Sequence, residues 1–158
     1  MNKILPKEIK NQYQGHPIAF WGFVVFLMMM TWRSAIHLAY QKFGLHEIAN
    51  FIVLTGDPDP MPLIYLFFSL WGLAQLLFCL ICWIMVFRYK ELISLMYILF
   101  ISEWLVRLVF YPLIGLGLAN NEIYSNGSTP GSYLAPFIVI VLLVLFFFSM
   151  KQLKSANS

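Results

Sequence analysis

Three charged side chains lie inside stretches of sequence that are otherwise strongly apolar. Arg33 lies in the first of these stretches, and Glu103 and Arg107 lie in the third. A charge at the centre of a membrane helix costs roughly 2.5–3.5 kcal/mol on insertion scales. A chain that keeps three such charges has to pair them, hydrate them or use them. These residues are therefore the first candidates for a functional site.

The positions of these residues along their helices place them at similar depths. Counted at 1.5 Å per residue from the predicted cytoplasmic ends, Arg33 lies about 22 Å along its helix, Glu103 about 18 Å and Arg107 about 24 Å. Gln75, in the second stretch, falls at about 18 Å, and His37 lies near the outer end of the first. We therefore expect one polar cluster in the middle and outer half of the membrane, made of Arg33, His37, Gln75, Glu103 and Arg107.

The charges of this cluster do not cancel. Two arginines and one glutamate leave a surplus of one positive charge when His37 is neutral, and an unpaired buried charge is the costly case. Guanidinium groups bind carboxylate and phosphate through paired hydrogen bonds. The sequence therefore favours a site for an anionic small molecule, a lipid headgroup or an acidic residue of a partner membrane subunit. The protein would bind or move such a molecule, or be an accessory subunit of a system that does.

Two other interpretations stay open. Glu103 and Arg107 are four residues apart and can neutralise each other on one helix face, while Arg33 bonds Gln75 or backbone carbonyls. The cluster would then fix helix registry in a non-catalytic scaffold or assembly factor, or the arginines would extend to the outer interface. The second alternative is a membrane enzyme that acts on a lipid or quinone with Glu103 as acid and base.

Other residue patterns that resemble catalytic or metal sites have simpler explanations. Cys79 and Cys82 match C-x-x-C, but they lie within a helix rather than at its N-terminus, so we expect small core residues. The three histidines lack metal-ligand spacing, and no base stands beside a serine nucleophile. We predict no catalytic residue, no metal and no cofactor.

The composition of the chain indicates that these side chains lie in a lipid bilayer rather than in water. Hydrophobic residues make up 61% of the 158 residues and charged residues 11%, whereas soluble domains are about a quarter charged. Crossing about 30 Å of hydrocarbon takes about 20 helical residues. We predict a single all-α integral membrane domain over residues 1–158, an up-down-up-down bundle of four transmembrane helices at about 18–40, 62–87, 92–118 and 133–150.

Charge asymmetry sets the expected orientation. Basic residues precede the first span, occupy the link between spans two and three as Arg88 and Lys90, and follow span four as Lys151 and Lys154. The positive-inside rule then places both termini in the cytoplasm. The net charge of +3 comes from these ends, so we expect no nucleic-acid partner. The leader lacks a cleavage site, and we expect a multi-pass protein of a bacterial cytoplasmic membrane. A partner membrane subunit and a homo-oligomer both stay open.

The connections carry turn and interface signals. We expect Gly44 to break the first helix and residues 45–54 to form a short helix in the outer interface, or a lid. The prolines of segment 55–62 predict an extended piece, with Asp59 capping the next helix. Asn126-Gly127-Ser128 matches the glycosylation pattern, but Asn-Gly is first a turn signal.

Overall fold

A computed structural model describes residues 4–6, 8, 11–116 and 123–151. These residues are helical or lie in connections, and the only β-type pairing among them is an isolated antiparallel bridge between Phe51 and Ser125. Four helices are long and apolar enough to cross a membrane. They are α1 (Pro17–Ala39), α3 (Met61–Arg88), α4 (Lys90–Leu113) and α5 (Pro130–Met150). A short α2 (Gln41–Phe43) follows α1 and continues as a π-helical turn over Gly44–Ile48.

The predicted spans agree with these helices except at the ends of the connection between α4 and α5. Helix α5 begins at Pro130, three residues earlier than predicted, because proline at the first helical position has the right φ and needs no amide partner. Helix α4 ends at Leu113 rather than at residue 118. Gly115 has φ +77, the left-handed conformation that ends helices. Residues 117–118 of the predicted span lie outside the described part of the chain.

The helix after the first span has different bounds from the predicted ones. The break falls at Tyr40, where φ is −128 and ψ is 52, and not at Gly44, which is helical. A Cβ on Gly44 would lie 3.1 Å from the Phe68 ring and 3.4 Å from the side chain of His37. Glycine is therefore needed there for close packing rather than for a break. Asn50, at φ +59, prevents the helix from continuing to residue 54.

The two long connections pair with each other at one end of the molecule. The Ile52 amide donates to the Tyr124 carbonyl at 3.0 Å, and the Asn126 amide donates to the Asn50 carbonyl at 2.8 Å. The Asn50 side chain also donates to the Ser128 carbonyl. These bonds hold the segment after α2 across the start of α5. We call this end of the molecule the connection end.

Helix α1 holds the four long helices together. It packs most extensively against α3 and also contacts α5, while α4 packs mainly against α5. Its buried residues Phe23 and Leu27 meet Tyr97 and Phe100 of α4 in the core, and the Tyr97 hydroxyl donates to the Ala19 carbonyl at 2.7 Å. Helices α3 and α4 share few contacts although a tight turn joins them. The polar side chains of α1, α3 and α4 meet across this loosely packed seam.

Candidate functional site

Helix periodicity brings the polar residues of α1 and α3 face to face. The buried face of α1 runs through Met30, Ser34 and His37, at the spacing of successive turns. The buried stripe of α3 includes Gly72 and Gln75. A Cβ on Gly72 would lie within 2.6–2.8 Å of the backbone and Cβ of residues 37 and 38. Glycine thus lets the two helices touch at the level of His37, one turn from Arg33.

Four of the five predicted site residues are joined by consecutive hydrogen bonds. Arg33 Nη1 donates to Gln75 Oε1 at 3.3 Å, and Gln75 Nε2 donates to Glu103 Oε1 at 2.7 Å. Arg107 Nη2 donates to the same Glu103 oxygen at 2.5 Å, and the two residues form an ion pair. We call Arg33, Gln75, Glu103 and Arg107 the polar chain. The polar chain connects α1, α3 and α4. Gln75 joins α3 to α1 through Arg33, and the Glu103 carboxylate joins α4 to α3.

Two tryptophans enclose the two guanidinium groups. The Arg33 guanidinium lies 5.0 Å from the centre of the Trp71 ring and the Arg107 guanidinium lies 4.7 Å from it. Trp104 lies 5.9 and 5.7 Å from the same two groups. Cation–π attraction of this kind replaces part of the lost hydration. The sequence analysis missed both rings, although Trp71 precedes Gln75 by one helical turn and Trp104 adjoins Glu103.

Both arginine side chains point away from the connection end. Arg33 Nη1 lies 4.0 Å from the sulfur of Met30, three residues earlier in α1. Arg107 reaches back to Glu103, four residues earlier in α4. Helical side chains lean toward the N-terminus of their own helix, and α1 and α4 both begin at the end opposite the connections. This direction favours contacts between the helices over the alternative in which the arginines extend toward the outer interface, although both arginines line a cavity that reaches the connection end.

His37 lies beside the polar chain without joining it. Its side chain is 5% exposed, and its ring packs against the rings of Phe68 and Trp71 with centroid distances of 4.5 and 4.7 Å. Its Nδ1 atom is buried and has no hydrogen-bond partner among the described residues. One buried polar atom beside the polar chain is thus left without a partner.

Unpartnered polar atoms concentrate at this site. Within the described part of the chain, four buried side-chain nitrogen or oxygen atoms lack a hydrogen-bond partner. Three of them belong to this region: His37 Nδ1, Trp104 Nε1 and Arg107 Nε. Leaving a buried polar group unpaired costs about 1–3 kcal/mol. Their clustering marks the place in the molecule where an additional polar partner would be most favourable.

A cavity of about 310 Å³ reaches the arginines from the connection end. Arg33, His37, Trp71 and Arg107 lie along it, together with residues of the connection after α2, the end of α4 and the first turn of α5. Gln75 and Glu103 do not line it. Among the described residues, the charged groups on its wall are the two arginines alone. The cavity is therefore positive although the polar chain behind it contains a carboxylate.

The remaining candidates have structural partners. Cys79 and Cys82 are free thiols that are fully buried. His46 bonds the Tyr65 hydroxyl at 2.7 Å and the Phe51 carbonyl at 2.8 Å, which orders the first connection. Among the described residues, no group of three His, Cys, Asp or Glu side chains is placed to hold a metal ion.

Comparison with known proteins adds no relative to this description. No family model, no curated protein and no solved structure matches the chain. The geometry of the cavity and the polar chain is therefore the basis for assigning a function.

Proposed function

We propose that this membrane protein binds the oxyanion of a carboxylate or phosphate, carried by a small solute or a lipid headgroup, in the cavity between Arg33 and Arg107. The observation that carries the proposal is the charge of the cavity wall, where two arginines and no acid stand among the described lining residues. In the interior such a surplus is costly until an anion compensates it. The protein acts as a binding or transport component, alone or as the accessory subunit of a larger system.

The contacts of the two arginines support this assignment. Glu103 Oε1 already accepts from both Gln75 and Arg107, so it bonds one guanidinium group directly and is linked to Arg33 only through the Gln75 amide. Arg107 Nε and His37 Nδ1 remain without partners. An oxyanion in the cavity would bridge the two cations. Charge-assisted hydrogen bonds of this type contribute about 1.5–3 kcal/mol each.

The same proposal includes the orientation of the chain. We place the four helices up-down-up-down with both termini in the cytoplasm, because the basic residues collect at the ends of the spans away from the connection end. The cavity then opens to the outer face of a bacterial cytoplasmic membrane. The helical turns at 41–48 lie in the outer interface beside its mouth. In a homo-oligomer or a complex, an acidic residue of the neighbouring subunit is the alternative source of the anion.

A second candidate function is a membrane scaffold or assembly factor. The specific observation in its favour is that the polar chain joins α1, α3 and α4 in one hydrogen-bonded series. Interhelical hydrogen bonds of this kind stabilise membrane bundles by about 1–2 kcal/mol in model peptides. Acid–base catalysis by Glu103 has less support. Its Oε1 accepts two hydrogen bonds and the residue does not line the cavity.

Replacing one arginine separates binding from scaffolding. We expect sodium acetate and inorganic phosphate to raise the unfolding temperature of the protein in a neutral detergent and to change the fluorescence of Trp71 and Trp104. Arg33→Gln should weaken this anion binding about tenfold or more, because it removes a charged donor. The matched control is Lys42→Gln, which removes an exposed positive charge at the same end, away from the cavity.

The two functions give different outcomes in this experiment. Anion binding is supported when Arg33→Gln loses the anion response and Lys42→Gln keeps it. If both variants respond to anions as the unchanged protein does, while Arg33→Gln only lowers stability, the scaffold function replaces the proposal.

A further inference from the structure

We infer that the ligand is a monoanionic carboxylate with a compact apolar body, which enters the cavity head first from the connection end. This inference rests on the proposed anion binding and adds the class and direction of the ligand. It excludes the headgroup of a resident bilayer phospholipid. Three features carry it: the order of polar and apolar groups with depth, the size of the charge surplus, and the volume of the cavity.

The cationic end of the cavity is its deep end. Arg33 lies six residues before the end of α1 at Ala39, and Arg107 lies six residues before the end of α4 at Leu113. Six residues correspond to about 9 Å, and both guanidinium groups point still farther from the connection end. The anionic atom of a ligand therefore has to travel past the helix ends to meet them.

The wall above the arginines is largely apolar. Leu108 and Pro112 line it from α4, Leu116 follows α4, and Ile48 and Phe51 come from the first connection. These side chains lie between the arginines and the mouth. A carboxylate at the arginines would place its apolar body against this wall, where burial of each methylene is favourable.

A bilayer phospholipid presents these groups in the opposite order. Its headgroup lies at the interface and its chains lie deeper, in the hydrocarbon core. With the arginines below the apolar wall, such a lipid would have to invert to bring its phosphate to them. A smaller amphipathic anion meets no such conflict, because it can enter from the interface with its charged end leading.

The charge of the polar chain and the volume of the cavity restrict the class of ligand further. The polar chain carries two arginines and one glutamate, so a single negative charge balances it. A carboxylate supplies one, whereas a phosphate monoester carries about 1.5 to 2 negative charges at neutral pH. A cavity of about 310 Å³ is at the lower end of the roughly 300–1,000 Å³ typical of small-molecule sites. The apolar body is therefore short-chain or single-ring in size.

A chain-length series tests the inference on the full-length protein in phosphatidylcholine nanodiscs. The probes are acetate, butyrate, hexanoate, decanoate and neutral hexanamide. The binding of each probe is measured by tryptophan fluorescence. We expect affinity to rise about fourfold per methylene through the shorter acids and to level off before decanoate. Hexanamide should bind at least tenfold more weakly than hexanoate, since it lacks the charge.

A variant at the mouth provides an independent measurement. Gly131 lines the cavity, and a Cβ there meets no atom within 4 Å, so Gly131→Leu adds bulk to the cavity wall at a position with open space beside the backbone. Gly131→Leu should weaken the binding of hexanoate at least fivefold and the binding of acetate much less. Gly127→Leu is the matched control, because that glycine is equally open but lies outside the cavity.

Each remaining outcome overturns a distinct claim. Equal affinity for acetate and hexanoate, still lost in Arg33→Gln, overturns the apolar body and leaves anion binding intact. Affinity that keeps rising through decanoate, or phosphatidic acid in the nanodisc displacing hexanoate at equal concentration, overturns head-first entry and identifies a lipid. Binding of hexanamide as tightly as hexanoate overturns the proposed function itself. No binding of any carboxylate overturns the carboxylate inference while inorganic phosphate still binds, and overturns the proposed function as well when phosphate also fails to bind.

Discussion

Glu103 is the one acidic side chain of the polar chain, and it balances part of the charge of the two arginines. Its Oε1 atom accepts from Arg107 directly and from Gln75, which in turn accepts from Arg33. One carboxylate therefore neutralises part of two cations while lying outside the cavity. Counting residues from the helix ends placed these four side chains at one depth, and the structure joins them by hydrogen bonds. The same count gave no sign that Trp71 would lie against both guanidinium groups.

Glu103→Gln should destabilise the protein by about 3 kcal/mol, at the low end of the cost of breaking a buried ion pair, because both partners keep some exposure. The variant raises the surplus from one positive charge to two. Thermal unfolding in neutral detergent measures the loss. The matched control is the double variant Glu103→Gln with Arg107→Gln, which returns the surplus to one and should recover much of the stability. A single variant as stable as the unchanged protein would show that Glu103 does not compensate the arginines.

At the scale of elements, close helix contact and irregular helix segments shape the cavity. Gly72 lets α3 touch α1 beside His37. Two π-helical segments border the cavity, Gly44–Ile48 at its mouth and Val106–Phe110 around Arg107. Such segments add a residue to a helical turn and are frequent at functional sites. Hydrophobic periodicity predicted the helices that contain these two π-helical segments. It assumes regular helical turns, so it does not reveal the segments themselves.

Gly72→Ala tests the contact between α1 and α3. The added Cβ would lie 2.6 Å from the Leu38 amide nitrogen, so one helix has to shift. Overpacking of this kind costs about 1–3 kcal/mol. We expect a lower unfolding temperature and weaker anion binding, since His37 and Arg33 move with α1. Gly127→Ala serves as the control because its Cβ meets open space and the residue lies outside the cavity. Equal stability of the two alanine variants would contradict the close contact.

At the scale of the whole molecule, the two hydrogen-bonded connections lie at the end where the cavity opens, and we propose from the distribution of basic residues that this end is the outer one. Four membrane-length apolar helices are present, as their composition predicted. The proposed sidedness rests on the positive-inside rule, which counts lysines and arginines in short connections. Arg88 and Lys90 occupy the tight turn between α3 and α4, opposite the mouth.

Cysteine labelling tests this orientation with little background, because Cys79 and Cys82 are fully buried. A membrane-impermeant maleimide added to intact cells should label Gly127→Cys, in the connection before α5, without permeabilisation. Arg88→Cys should react only after the membrane is opened. Both positions are exposed, so accessibility within the protein does not distinguish them. The reverse pattern would place the cavity mouth and its anion on the cytoplasmic side.

The sequence by itself determined that the chain has four apolar helices long enough to cross a membrane, and which of their residues carry charge. These depend on the transfer of each residue from water to hydrocarbon, a quantity that sums along the chain without knowledge of its neighbours. The tertiary structure decided which atoms meet. Arg33 and Arg107 line a cavity while Glu103 lies outside its wall. The arginines lean away from the connection end, and the first connection bends at Tyr40 and Asn50 instead of at Gly44. Those outcomes depend on helix rotation, close approach and local φ, which arise only when α1, α3 and α4 pack together.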